Sequence, residues 1–300
     1  MIDENLHKFV GTLFGDSPLA KFATATLDNS MNRVIQNKPT VTILADSITE
    51  DGHRLTTFQL KFWRAILPEI TRHRCFSFCV RSSRANPTAN IIKQVDTEPW
   101  GPVEFGSNQK GMTAGKPLEG TDLEQAEFQW KLAAGQAVLT ANALLDLNVH
   151  KQVVNRVLEP YTYSDMVLAG TDFDNFFKLR EAPDAQPEIR ELAVAMHKAL
   201  DNSEPKLLQK GEWHLPYITS SDREMATVDE LCKVSCARCA RVSYKAFDGT
   251  SSIQKDLELF NKLQTSGHWS PMEFVATPCD DKDYRLSNYK GYNQYRRFCE

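Results

Sequence analysis

Hydrophobic and polar positions alternate along Leu55–Phe62, and Val41–Ala45 is a short apolar run rich in β-branched residues. With the Asp51-Gly52 turn signal between them, residues 40–62 read as two joined strands. The period then lengthens. Thr121–Leu147 has alanine and leucine at helical spacing, with Thr121 placed to cap and Asp122 and Glu124 in the first turn. Phe128, Leu132, Leu139 and Ala143 fall on one face of that helix. Further helices are expected at 150–158, ended by Pro160, and at 172–180, 187–200, 225–243 and 253–265. Tyr161–Leu168 reads as a strand and Gly211–Ser221 as a loop. From His268 onward strand and loop signals mix. Residues 85–120, rich in Asn, Pro, Gly and Lys, read as a long loop. No linker divides the chain, so the pattern implies one mixed α and β domain over 1–300.

Composition narrows the class without naming a chemistry. The 300 residues are 41% hydrophobic and 25% charged, as in ordinary globular proteins. No apolar run reaches the length of a membrane span. The net charge of -4 argues against a nucleic-acid coat or a polybasic membrane binder. Seven unevenly spaced cysteines make a poor disulfide framework, and Met1–Asn5 does not resemble a secretory leader, so a cytoplasmic location is expected. Cys236 and Cys239 have zinc-ligand spacing, with Cys232 on the same helical face, but nothing completes four ligands; no metal is expected. Cys279 has no supporting neighbours.

The chemistry concentrates at Arg72-His73-Arg74, with Arg81 and Arg84 behind it and Phe76, Phe78, Cys79 and Val80 between. Arginine forks grip phosphate in two-point, charge-assisted bonds, and Ser82 and Ser83 add donors. A solvated basic face would explain the charges alone. Interleaved apolar residues better suit the wall of a ligand pocket.

Arg72-His73-Arg74, seven residues and then Ser82 form an RHR-x7-S pattern. This resembles the signature of the flavin-dependent thymidylate synthases, and Ser82-Ser83-Arg84-Ala85 is similar to the longer phage and bacterial members. Asn155–Pro160, Asn175–Arg180 with Ala185–Arg190, and Ala240–Tyr244 with Gly267–Glu273 resemble three further family blocks. The last of these precedes the RHR motif in shorter members and follows it here, a permuted order. The resemblance is poorest over 1–39 and 85–120.

The resemblance implies an α+β fold with a central, mostly antiparallel sheet flanked by helices. It implies methylation of dUMP to dTMP with FAD as cofactor and with methylenetetrahydrofolate and NADPH as co-substrates. A homotetramer with shared active sites is expected, without nucleic-acid or membrane partners. Carried over by position, Glu69, Arg72, Ser82, Ser83, Arg84, Arg156 and Arg180 would bind dUMP, with Arg180 catalytic in polarising the uracil. Arg72, His73, Arg74, Cys75, Asn175, Ser243, His268, Ser270 and Glu273 would hold FAD. Glu69, Cys79, Val80, Arg81 and Asp184 depart from residues common in shorter members. A related flavin-dependent hydroxymethylase or methylase stays open, as does a non-catalytic nucleic-acid-binding module.

Overall fold

The computed structural model describes residues 33–244, 247–279, 285–286 and 288–300. Of the poorly matched segment 1–39, only 33–39 fall among them. The chain divides into two compact units, 1–38, 63–65 and 83–163 forming one, and 39–62, 66–82 and 164–300 the other. The division is invisible to linker composition because the chain passes between the units several times within continuous elements.

The second unit is built on a sheet of five strands: β1 (Thr40–Thr49), β2 (Arg54–Trp63), β3 (Ser77–Val80), β4 (Tyr163–Gly170) and β5 (Lys206–Leu208), in the order β3-β4-β2-β1-β5. The pairs β1–β2 and β3–β4 are antiparallel and β1–β5 is parallel. The expected mostly antiparallel sheet flanked by helices is therefore present. The turn at Gly52 has φ +84°, a conformation that favours glycine. Alternation sorts β2: Phe58, Leu60 and Phe62 enter one core with α1 (Leu67–Thr71), α5 (Asp174–Arg180) and α6 (Pro187–Asp201), while Leu55 enters another. Three helices of the other unit lie between α1 and α5 in sequence.

On the opposite sheet face pack Val167, Ala169, Cys239, Phe274 and Tyr292. These come from β4, from α8 (Val228–Ala240), from the turn leading into the C-terminal strand β6 (Ala276–Pro278), and from strand β9 (Tyr292–Gln294). Two short strands, β7 (Arg285–Leu286) and β8 (Tyr289–Lys290), pair between them. His214 is fully buried there, its Nε2 2.8 Å from the Thr57 hydroxyl and its Nδ1 2.9 Å from Ser47. Burial drives its pKa down to about 3, so the ring is a neutral hydrogen-bonding bridge between β1 and β2. Both α7 (Ser220–Met225) and α8 open with capping boxes, Thr219 with Asp222 and Thr227 with Glu230.

The first unit contains α2 (Thr88–Thr97), α3 (Gly120–Asp146) and α4 (Lys151–Leu158). They bury Ile91, Val95, Ala134, Val138, Ala141, Val154 and Leu158 together. Three expectations change here. Helix α2 lies inside the segment read as loop; its polar surface residues masked Ile91 and Val95, one turn apart. Helix α3 buries its small-residue face, leaving Phe128, Leu132, Leu139 and Ala143 only partly covered. Small side chains permit the closer helix approach. Its cap position is Glu119, with no side-chain cap bond, in place of Thr121.

Candidate active site

The RHR segment links α1 to β3. His73 donates its backbone N–H to Ile70 and accepts from Phe76, closing a tight turn. Phe76 then packs into the aromatic core, 5.0 Å from Phe173 and 5.4 Å from Phe176. The last residue of β4 must be small for this: a Cβ on Gly170 would sit 2.7 Å from the Phe76 ring. The turn buries His73 and leaves Arg72 and Arg74 exposed.

The buried imidazole meets the end of α5. Arg180 donates from Nε to His73 Nε2 at 2.9 Å, and Phe176 packs edge-on against the ring with centroids 4.9 Å apart. Burial, then the Arg180 charge, holds His73 below the usual imidazole range. A neutral ring accepting at Nε2 carries its proton on Nδ1. Asn175, in the first turn of α5, is exposed.

Beyond Ser77, β3 forms one wall of a cavity of about 720 Å³. Phe78, Cys79 and Val80 face Ser243, Tyr244, Leu259 and Leu263, while the loop before Pro271 adds His268, Trp269 and Ser270. Two contacts hold these distant segments to the strand. The Ser82 N–H donates to the Ser243 carbonyl at 2.7 Å, and the Ser77 hydroxyl donates to Glu273 Oε2 at 2.6 Å. Arg296, which also lines the cavity, donates to the other Glu273 oxygen at 2.8 Å and to Glu300 at 2.6 and 2.8 Å. Ser77 accepts in turn from Asn288 and Gln294. Burial, and then Glu273, pushes the Cys79 thiol up to about 12, so it is an inert wall residue.

The Ser243 turn rests on a buried ion network. Arg238 grips Asp222 with two bonds of 2.6 and 2.8 Å and Asp256 with a third of 2.9 Å. Arg241 completes Asp256 at 2.7 Å from α9 (Ile253–Thr265), so α7, α8 and α9 are bound through two carboxylates. Arg238 holds the Asp222 carboxyl well below the usual carboxylate range, mainly through these hydrogen bonds.

In the first unit a second constellation forms around Asn155. Its amide donates to the carbonyls of Ser83 at 2.7 Å and Asn86 at 3.1 Å, and its oxygen accepts from Thr88 at 2.7 Å. The turn carrying Ser83 and Arg84 is thereby pinned to α4. Arg84 is exposed, and Arg156, also exposed, pairs with Glu159 at 2.7 Å, as does Arg64 at 3.1 Å.

The family described as thymidylate synthase complementing protein matches residues 40–206, more than half of the chain. The chain belongs to this family. It is the flavin-dependent thymidylate synthase family that the RHR pattern resembles, and membership makes the chain a transferase enzyme. No curated protein matches the sequence. Among solved structures, the UMP/dUMP methylase PolB of Streptomyces cacaoi, bound with 5-Br UMP, is similar at 18% identity. That match covers 56% of this chain and 91% of that one, with a TM-score of 0.47. Thymidylate synthase X of Helicobacter pylori, solved with FAD and dUMP, is similar at 23% identity over 49% and 67% of the respective chains, TM-score 0.34.

The family match ends at 206, short of the C-terminal block, yet the fold lays that block against β3. Ser243, His268 and Ser270 line the cavity, with Glu273 bound to its Arg296. Arg72, His73, Arg74, Cys75 and Asn175 precede β3 or sit on α5 and do not line it. Glu69 is partly buried in α1, with one carboxylate oxygen enclosed and unbonded. Three contributors escaped the sequence reading. Arg296 sits in a polar segment without a local pattern, and Asn155 opens the block that carries Arg156 but was given no role of its own. Arg238 looked like one more surface cation on a cysteine-bearing helix. Cys232, Cys236 and Cys239 are buried in apolar clusters, and no group that could hold a metal occurs among the described residues.

Proposed function

We propose that this family member is a flavin-dependent thymidylate synthase, converting dUMP to dTMP with methylenetetrahydrofolate as carbon donor and NADPH as reductant. The observation that carries the reading is the meeting of β3, which follows the RHR motif, with the C-terminal Ser243–Glu273 block around one cavity, in a chain of this family. The cavity suits a flavin. Its volume lies in the usual range for ligand pockets. Phe78 and Trp269 offer aromatic walls, and Ser243, Ser270, His268 and Arg296 offer polar contacts. When bound, FAD would supply the redox chemistry of the methyl transfer.

The chain's own residues bind, orient and stabilise charge. Ser82, Ser83, Arg84 and Arg156 are assigned to the phosphate and sugar of dUMP, and Glu69 and Arg72 are assigned to dUMP as well. Arg180 is assigned to the uracil, where a permanently charged guanidinium stabilises developing negative charge without giving up a proton. Ser243, His268, Ser270 and Glu273 are assigned to FAD, together with Arg72, His73, Arg74, Cys75 and Asn175 from the RHR side. We further propose one catalytic domain acting as a homotetramer in the cytoplasm. Seven free thiols accord with a reducing compartment.

Incubation with dUMP, methylenetetrahydrofolate, NADPH and FAD is expected to yield dTMP by mass. A hydroxymethyl product, or preference for another pyrimidine nucleotide, would identify a sister enzyme. A refolded protein that neither carries nor binds FAD and turns over no nucleotide would refute the assignment. Arg180→Ala is expected to keep FAD and lose most turnover.

A further inference from the structure

The second RHR residue is buried, does not line the cavity, and has its acceptor nitrogen occupied. We propose that His73 is a positioning residue for Arg180, its Nε2 accepting the Arg180 Nε–H so that the guanidinium plane is fixed with its two terminal nitrogens free for a ligand. The role given to those nitrogens, recognition of the nucleotide base, rests on the function proposed above.

Several observations converge on this latch. His73 is 8% exposed, and its ring is held by Phe176 at 4.9 Å and Phe76 at 6.2 Å, so the acceptor cannot swing away. Phe76 is itself fixed against Gly170. Arg180 is the last residue of α5, where the helix dipole favours a cation. Among the described residues nothing else bonds its guanidinium. An arginine side chain has many rotamers, and a single bond at Nε removes most of them while sparing the two-point fork.

The latch works in one protonation state. A neutral ring accepts at Nε2; a protonated ring would turn a donor toward a donor and set two cations together. Among the described residues, Arg180 on α5 is the charged group that acts on the ring, and its aromatic contacts are Phe76 of the same turn and Phe176 of α5. Burial and Arg180 both favour the neutral form, so the latch is closed at neutral pH and opens only on the acid side of the ordinary imidazole range.

Two substitutions separate position from packing. His73→Phe keeps an aromatic ring and removes the acceptor; His73→Gln supplies an amide oxygen that can accept from Nε. With melting temperatures measured for each, His73→Phe is expected to lower kcat roughly ten- to hundredfold, the scale of a hydrogen bond to a charged group. KM for dUMP should change less than kcat. His73→Gln should recover most of the rate and should lack the acidic limb of the wild-type pH profile. Equal rates in both variants, or an acidic limb that survives in His73→Gln, would overturn the proposal.

A measurement without ligand or turnover keeps this separate from the functional reading. In the free wild-type protein, the Arg180 Nε–H resonance in ¹⁵N NMR should be slow to exchange. It should shift as His73 is protonated, with His73 as the Nδ1–H tautomer when neutral. A solvent-exchanged resonance, indifferent to His73, would overturn the latch even in an active enzyme. A protected one would sustain it even if dUMP proved not to be the substrate.

Discussion

Asn155→Leu tests how the Ser83–Arg84 turn, assigned above to dUMP, is held. Leucine keeps the branched skeleton of asparagine and replaces Oδ1 and Nδ2 with methyl groups. The change deletes donors to the carbonyls of Ser83 and Asn86 and the acceptor for Thr88, at 2.7, 3.1 and 2.7 Å. All four residues are buried. Three such bonds contribute about 3 kcal/mol together, and a buried polar group left without its partner adds about 1–2 kcal/mol. At about 2–4 °C per kcal/mol for a chain of this size, the melting temperature should fall by roughly 8–20 °C. Because the Ser83–Arg84 turn loses its anchor, dUMP affinity should also fall in calorimetry, while FAD binding stays near wild type. Asn155→Asp should be worse than Asn155→Leu, since it sets a carboxylate oxygen against two carbonyls. A melting temperature within about 2 °C of wild type and unchanged dUMP affinity would refute the reasoning.

Three further outcomes are expected. Lowering pH should destabilise the fold through His214: its folded pKa of about 3 lies below the unfolded value of about 6.5, so the unfolded state binds the extra proton between them. The stability is full above ~6.5 and is lost as pH falls, by about 2 kcal/mol at pH ~5; a His214→Gln variant in urea titrations should show a flatter dependence over that window. Arg238→Ala leaves Asp222 and Asp256 buried without their shared partner and should cost about 3–5 kcal/mol, read as a lower urea midpoint. Gly170→Ala forces a methyl against Phe76 and should cost about 1–3 kcal/mol in the same assay.

What could be read from sequence was what lies close along the chain. RHR-x7-S is legible because eleven neighbouring residues run through one turn and one strand. β1 and β2 follow from alternation around Asp51-Gly52. The His73–Arg180 bond is not legible, because its partners are 107 residues apart and each looks like an ordinary motif residue. Helix α2 was hidden by polar composition, and the buried face of α3 by alanines that carry little hydrophobic signal. The contact of Ser82 with Ser243 needed the fold, since only a permuted order hinted that the two blocks share a place.

Strand β3 is an edge strand whose pairing partner, β4, arrives only after residues 83–163 have been traversed. Closing a loop of that length costs about 2.5 kcal/mol more entropy than closing a short hairpin. The strand that bears the site therefore cannot zip up locally, whereas β1–β2 can. It should be among the last parts of the sheet to assemble during refolding and among the first to exchange amide hydrogens. A nucleotide or cofactor that gripped β3 would supply the cohesion that chain connectivity withholds, so ligand-dependent protection should be concentrated in Ser77–Val80.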